Sequence, residues 1–143
     1  MPECGEKLKN MQEITSPLNI WHKTILDNDP SGLYDILDDS FEFYSPAVFK
    51  SKEKYMGYIY LLAASQTFLT SDFKYTRQLV DEKQAVLEFE CTMDGVTVNG
   101  IDMFKWNENN KLTEMKVMIR TEKALEAVKQ EMTKHLSNPE VWR

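Results

Sequence analysis

Near residue 72 the hydrophobic period of this chain changes from 3.6 to 2, and that switch restricts the fold more than any other feature. Upstream, Leu18, Trp21 and Ile25 recur at helical spacing after Ser16-Pro17, a residue pair that caps a helix and suits its first turn. Asp27-Asn28-Asp29-Pro30 stops that helix. A short second one carries Leu33, Ile36 and Leu37 and ends at Asp38-Asp39. FEFYS then alternates as a strand up to Pro46. A third helix is expected from Ser51 to about Leu69; being apolar on nearly all sides, it should be mostly buried. Thr70-Ser71-Asp72 breaks it. Downstream, FKYTRQLV, AVLEFECTM, VTVNGIDMFKW and KLTEMKVMIR read as four strands with short turns at Asp94-Gly95 and Asn107 to Asn110. Thr121 begins a last helix with Leu125, Val128, Met132 and Leu136 on one face. Helices first and a run of hairpins afterwards give the α+β class, not α/β.

At 143 residues the chain is one domain, expected over 16–136 between tails at 1–15 and 137–143. The net charge of −6 holds no run of lysine or arginine, so nucleic acid is not an expected partner. The N-terminal residues have no apolar core to act as a signal peptide, and YMGYIYLLAASQTFL is too short and polar to span a bilayer. No membrane role follows, and the cytoplasm is the expected location. Cys4 and Cys91, with His22 and His135, are too few and too scattered for a disulfide framework or a structural zinc. No cofactor is expected: a glycine-rich phosphate loop, GxSxG and HExxH are all missing from the sequence.

Alternation along the strands assigns their faces. Leu87, Phe89, Cys91 and Met93 share one face, opposite Glu88, Glu90 and Thr92. Met115, Val117 and Ile119 align in the same way in the last strand. Val98, Phe104 and Trp106 are the apolar neighbours of Asp102 on its face. A carboxylate in such company is paired, protonated or turned to a ligand cavity, because burying its charge alone is very costly. It either fixes the core or does chemistry. Trp21, Phe73, Phe104 and Trp106 are candidate aromatic walls, and His22, Tyr44, Ser45 and Tyr58 are candidate polar partners. His135 reads as a surface residue and Cys91 as a small core residue. On the opposite parity Ile101 and Met103, with Met118, form an apolar patch that predicts a homodimer.

WHKTILDNDPSGLYDILDDSFEFYSP and AVLEFECTMDGVTVNGIDMFKWNENNKLTEMKVMIR resemble the nuclear transport factor 2-like superfamily, in its SnoaL-like branch, over about Trp21 to Arg120. The resemblance implies a cone: helices closing the concave side of a bent antiparallel sheet, a pocket inside, and a dimer across the convex side. It also places Asp102 on the aspartic acid with which ketosteroid isomerases donate a hydrogen bond in its neutral form. Ser45-Pro46 falls near the position of the isomerase's basic aspartate, and Trp21 on that of its oxyanion-binding tyrosine. SnoaL-type cyclases, which rely chiefly on one pocket aspartate, are the better match. Two functions follow. In one, the pocket binds a small, largely apolar carbonyl compound such as a polyketide or terpenoid, and Asp102 moves a proton on it. In the other, the chain is a non-catalytic dimeric binding or scaffold module.

Overall fold

The computed structural model describes residues 16–137. The expected N-terminal tail, Cys4 and all but Ser137 of the expected C-terminal one lie outside them. Helix α1 (Pro17–Leu26) starts at its sequence signal, with the Ser16 hydroxyl accepting from the Leu18 N–H at 3.2 Å. Leu18, Trp21 and Ile25 are its buried stripe. Helix α2 (Leu33–Ile36) is a single turn. Strand β1 (Leu37–Tyr44) then starts earlier than expected, taking in Asp38 and Asp39. Leu37 pairs with Leu112 and is buried. Asp38 accepts from the Ser40 N–H and the Asn107 amide instead of ending a helix. Helix α3 (Lys54–Thr67) starts later than Ser51 because Lys52 exchanges both backbone hydrogen bonds with Phe43, at 2.9 and 2.8 Å, and is held extended. The helix is also less buried than its composition suggests: Gly57, Leu61, Leu62 and Ala63 face the core, while Tyr55 and Met56 are exposed.

The remaining strands are β2 (Lys74–Asp81), β3 (Gln84–Met93), β4 (Val96–Trp106) and β5 (Leu112–Arg120), followed by α4 (Glu122–Ser137). The curved five-stranded sheet has the order β1-β5-β4-β3-β2. The expectation of an antiparallel sheet holds for β2 to β5, but β1 joins β5 in parallel. No hairpin forces β1 to run against β5, since the rest of the chain separates them. Asp94 and Gly95 both take positive φ, 51° and 76°, as a tight type I′ turn requires. No helix among the described residues is long and apolar enough to cross a membrane.

The register lays side chains in rows across the concave face. One row is Ala85, Phe104, Met115 and Phe43; the next is Leu87, Asp102 and Val117; the next is Tyr75, Phe89, Gly100 and Ile119. Gly100 has a steric task here. A Cβ at that position would lie 2.5 Å from the Phe89 ring and 2.6 Å from the Met118 carbonyl. Its bare backbone lets the Phe89 ring fold over β4 and face inward. Helices α3 and α4 pack together, and α4 also rests on β3, β4 and β5.

Candidate functional site

Between these layers lies a cavity of about 210 Å³. The sheet contributes Phe43, Phe89, Met115, Val117 and Ile119 to its wall. Trp21 and Ile25 of α1, Leu61 and Ala64 of α3 and Leu125, Val128 and Met132 of α4 add to the apolar lining. Residues 45–48 and the α4 residues Lys129 and Thr133 also border it. Asp102 and the half-exposed Lys129 are the charged residues among those described along the wall, and Lys129 lies 3.7 Å from Glu126.

Asp102 is 5% exposed and held by a short relay. The indole N–H of Trp21 donates to the Tyr75 hydroxyl at 2.7 Å, and that hydroxyl donates to Oδ2 of Asp102 at 2.7 Å. Burial pushes the Asp102 carboxyl up to about 7; the hydrogen bond from Tyr75 and the indole N–H of Trp21 behind it pull the other way. The Tyr75 phenol is pushed well above its ordinary range, first by burial and then by the neighbouring carboxylate, so it stays protonated as a donor. Edge-on and tilted ring contacts fix Tyr75: Phe73 at 5.3 Å, His22 at 5.7 Å and Phe89 at 6.5 Å.

Tyr75 was not singled out from the sequence, although it shares the parity of Phe73 in FKYTRQLV, and a β-bulge obscures the inward face of that strand. The β2–β3 register passes from Tyr75↔Phe89 directly to Arg77↔Glu88, leaving Thr76 as an extra residue. Counted back from Arg77 and Leu79, alternation puts Tyr75 on the outer face; counted forward from Phe73, it puts Tyr75 on the inner one. The extra residue reconciles the two counts. No turn residue or glycine marks the bulge in KYTRQ; the usable signal was an aromatic residue on an otherwise polar edge strand.

The other candidates are distributed as follows. Trp21, Ser45, Phe73 and Asp102 meet in the cavity. Tyr44 does not enter it: Phe43 takes the inward parity, and Tyr44 bonds Glu42 at 2.8 Å under the Lys116 ammonium. Tyr58 packs edge-on against Tyr34, at 5.0 Å, away from the lining. His22 contacts Tyr75 rather than the cavity wall. Phe104 lies behind the lining, its ring 6.0 Å from Trp21, and Trp106 caps the far end of the core beside Leu112. Cys91 is buried, and burial pushes its thiol up to about 11, which removes it as a nucleophile.

No protein-family model and no curated protein matches the chain. Solved structures do. A steroid delta-isomerase from Pseudomonas aeruginosa superposes with a TM-score of 0.77 at 30% identity, over 85% of this chain and 89% of its own. An uncharacterized protein with a cystatin-like fold from Silicibacter pomeroyi gives 0.77 at 20% identity, over 92% of each chain. An epoxide hydrolase/cyclase-like enzyme of pyran ring formation in the polyether salinomycin gives 0.58 at 13% identity, over 73% of this chain and 88% of its own.

Proposed function

We propose that this chain, which belongs to the nuclear transport factor 2-like superfamily in its SnoaL-like branch, binds a compact, largely apolar carbonyl compound in its central cavity and can exchange a proton with it through Asp102. One observation carries this reading: a single carboxyl among the described wall residues, with its pKa raised to about 7, in a largely apolar cavity. Such a group is a competent acid and base at neutral pH, and burial keeps competing water away. At about 210 Å³ the space lies below the roughly 300–1,000 Å³ of drug-sized ligand pockets, which favours a compact molecule. The isomerase and the cyclase-like enzyme among the structural relatives fit proton chemistry in this place. Ser45 and Pro46 border the cavity where the isomerase resemblance expects a basic aspartate, and a serine hydroxyl is no base unaided. The reading is therefore one-acid chemistry, not two-residue steroid isomerisation. Ile101, Met103 and Met118 on the outer face support a homodimer as its setting.

The test is binding of a naphthyl methyl ketone, followed by Trp fluorescence and by calorimetry. Wild-type protein should bind it at pH 6, and a folded Asp102→Leu variant should bind at least tenfold more weakly. Equal binding by both proteins would remove Asp102 from the function.

A further inference from the structure

We propose that Tyr75, anchored by Trp21, is the positioning residue of this site: it fixes the polarity of Asp102, so that the proton of the neutral acid resides on Oδ1 and is presented to an acceptor oxygen of the bound molecule. The proposal rests on the functional reading above and adds a residue and a ligand class to it.

Donor and acceptor capacity fixes the direction of each bond in the relay. An indole nitrogen can only donate. The Tyr75 oxygen, 2.7 Å from Nε1 of Trp21, therefore accepts. Its own proton is free to go to Oδ2 of Asp102, 2.7 Å away. An oxygen that accepts at that distance does not also hold a proton on the same line. When Asp102 is neutral, its proton is left to Oδ1. Tyr75 performs this task from behind: it reaches Asp102 from β2, past β3, and is not part of the cavity wall, whereas Asp102 is. It touches the acid and not the ligand. The strand neighbours of Asp102 are Leu87 and Val117, which offer nothing polar from their side chains. The titratable groups facing the relay or the cavity from the helices are His22 of α1, Tyr60 of α3 and Lys129 of α4.

The chemical consequence is selectivity. Below the Asp102 midpoint the cavity offers a donor and prefers a ketone over the matched secondary alcohol. Above it the carboxylate offers an acceptor and the preference reverses. In Asp102→Asn the same Tyr75 bond holds the amide oxygen, turns the NH₂ outward and keeps the ketone preferred at every pH. That variant retains His22, Tyr60, Tyr75 and Lys129, so its comparison with wild type isolates Asp102.

The decisive measurement needs no ligand. Carboxyl carbon shifts across pH should place the Asp102 midpoint higher in Tyr75→Phe than in wild type, by about 1–2 units for one lost hydrogen bond to a carboxylate. The Trp21 indole resonance should move in the same variant. If Tyr75→Phe does not fold, Trp21→Phe, which removes the indole N–H behind the relay, should also raise the midpoint. Unchanged midpoints in the folded variants would overturn the positioning role. With the naphthyl methyl ketone and its alcohol, Asp102→Asn should prefer the ketone about tenfold, and Tyr75→Phe/Asp102→Asn should lose that preference as its amide turns freely. A preference that survives loss of Tyr75 would also overturn the proposal. If neither compound binds wild-type protein while the midpoint shifts as expected, the functional reading fails and the positioning role stands.

Discussion

The two faces of the β3–β4 hairpin solve the same problem in opposite ways. On the concave side one polar residue, Asp102, sits among Leu87, Phe104 and Val117; on the convex side the part-buried Ile101 sits beside Glu88, Arg77 and Asn99. The inner carboxyl is held by a phenol backed by an indole, between the apolar Leu87 and Val117, and burial raises its pKa to about 7. The outer carboxyl, Glu88, lies 3.3 Å from Arg77 and accepts from Asn99 at 3.0 Å. Dielectric separates the two cases: inside, hydrogen bonds decide the charge state, while outside, water and nearby ions do. Substitutions on the inner face should therefore change stability and pH behaviour, and those on the outer face association.

Trp21→Ala should cost most, about 3–5 kcal/mol in denaturant melts, because it opens a cavity beneath Phe104 and also strips Tyr75 of its anchor. Asp102→Asn should show the opposite sign with a pH signature. An unfolded aspartate ionises near about 3.9, and the folded one near about 7. Between those values the unfolded chain releases a proton that the folded chain keeps, so wild-type stability falls as pH rises through this window. The asparagine variant escapes that loss, and its advantage should grow by up to roughly 4 kcal/mol from pH 4 to pH 8. An advantage that is flat with pH would place Asp102 among ordinary solvated carboxylates.

Gly100→Ala should cost about 1–3 kcal/mol, since the added methyl must displace the Phe89 ring and meets a backbone carbonyl that cannot yield. Met103→Glu, on the outer face, should change monomer stability by no more than about 0.5 kcal/mol. Its effect should appear instead in light scattering at micromolar concentration, as a shift from the proposed dimer towards monomer. A large drop in its melting temperature without any change in mass would erase the distinction between the faces.

The sequence was most informative where strands alternate without interruption. In β4 every second residue from Val98 to Trp106 is buried, so the anomaly at Asp102 was visible from parity alone. Alternation failed wherever the backbone departs from it. The bulge at Thr76 puts Phe73 and Tyr75 out of phase with Arg77 and Leu79, so this strand shows no continuous inner stripe to point to the partner of Asp102. Tyr44 and Tyr58 were attractive because a phenol can donate, but Tyr44 has the outer parity and Tyr58 lies on a part of α3 turned to Tyr34. The role of α4 as a wall depends on helix docking, to which a local apolar stripe gives no direction. The parallel pairing of β1 was likewise out of reach, because a strand with no hairpin carries no local sign of its partner.

That parallel pairing sets an order of events. β2 to β5 form a meander of near-neighbour contacts that can zip from the Asp94-Gly95 turn, whereas β1 must wait for β5, the last strand, before Leu37 finds Leu112. Closing so long a loop is slow relative to hairpin formation. The cavity draws walls from α1, from the segment after β1 and from α4, so it comes into being only when the first and last of these helices have docked. A molecule held there rewards the complete fold and none of its parts. Added ligand should thus slow hydrogen exchange throughout β1 to β5 together, and a chain cut after β4 would keep a hairpin but have nothing to hold.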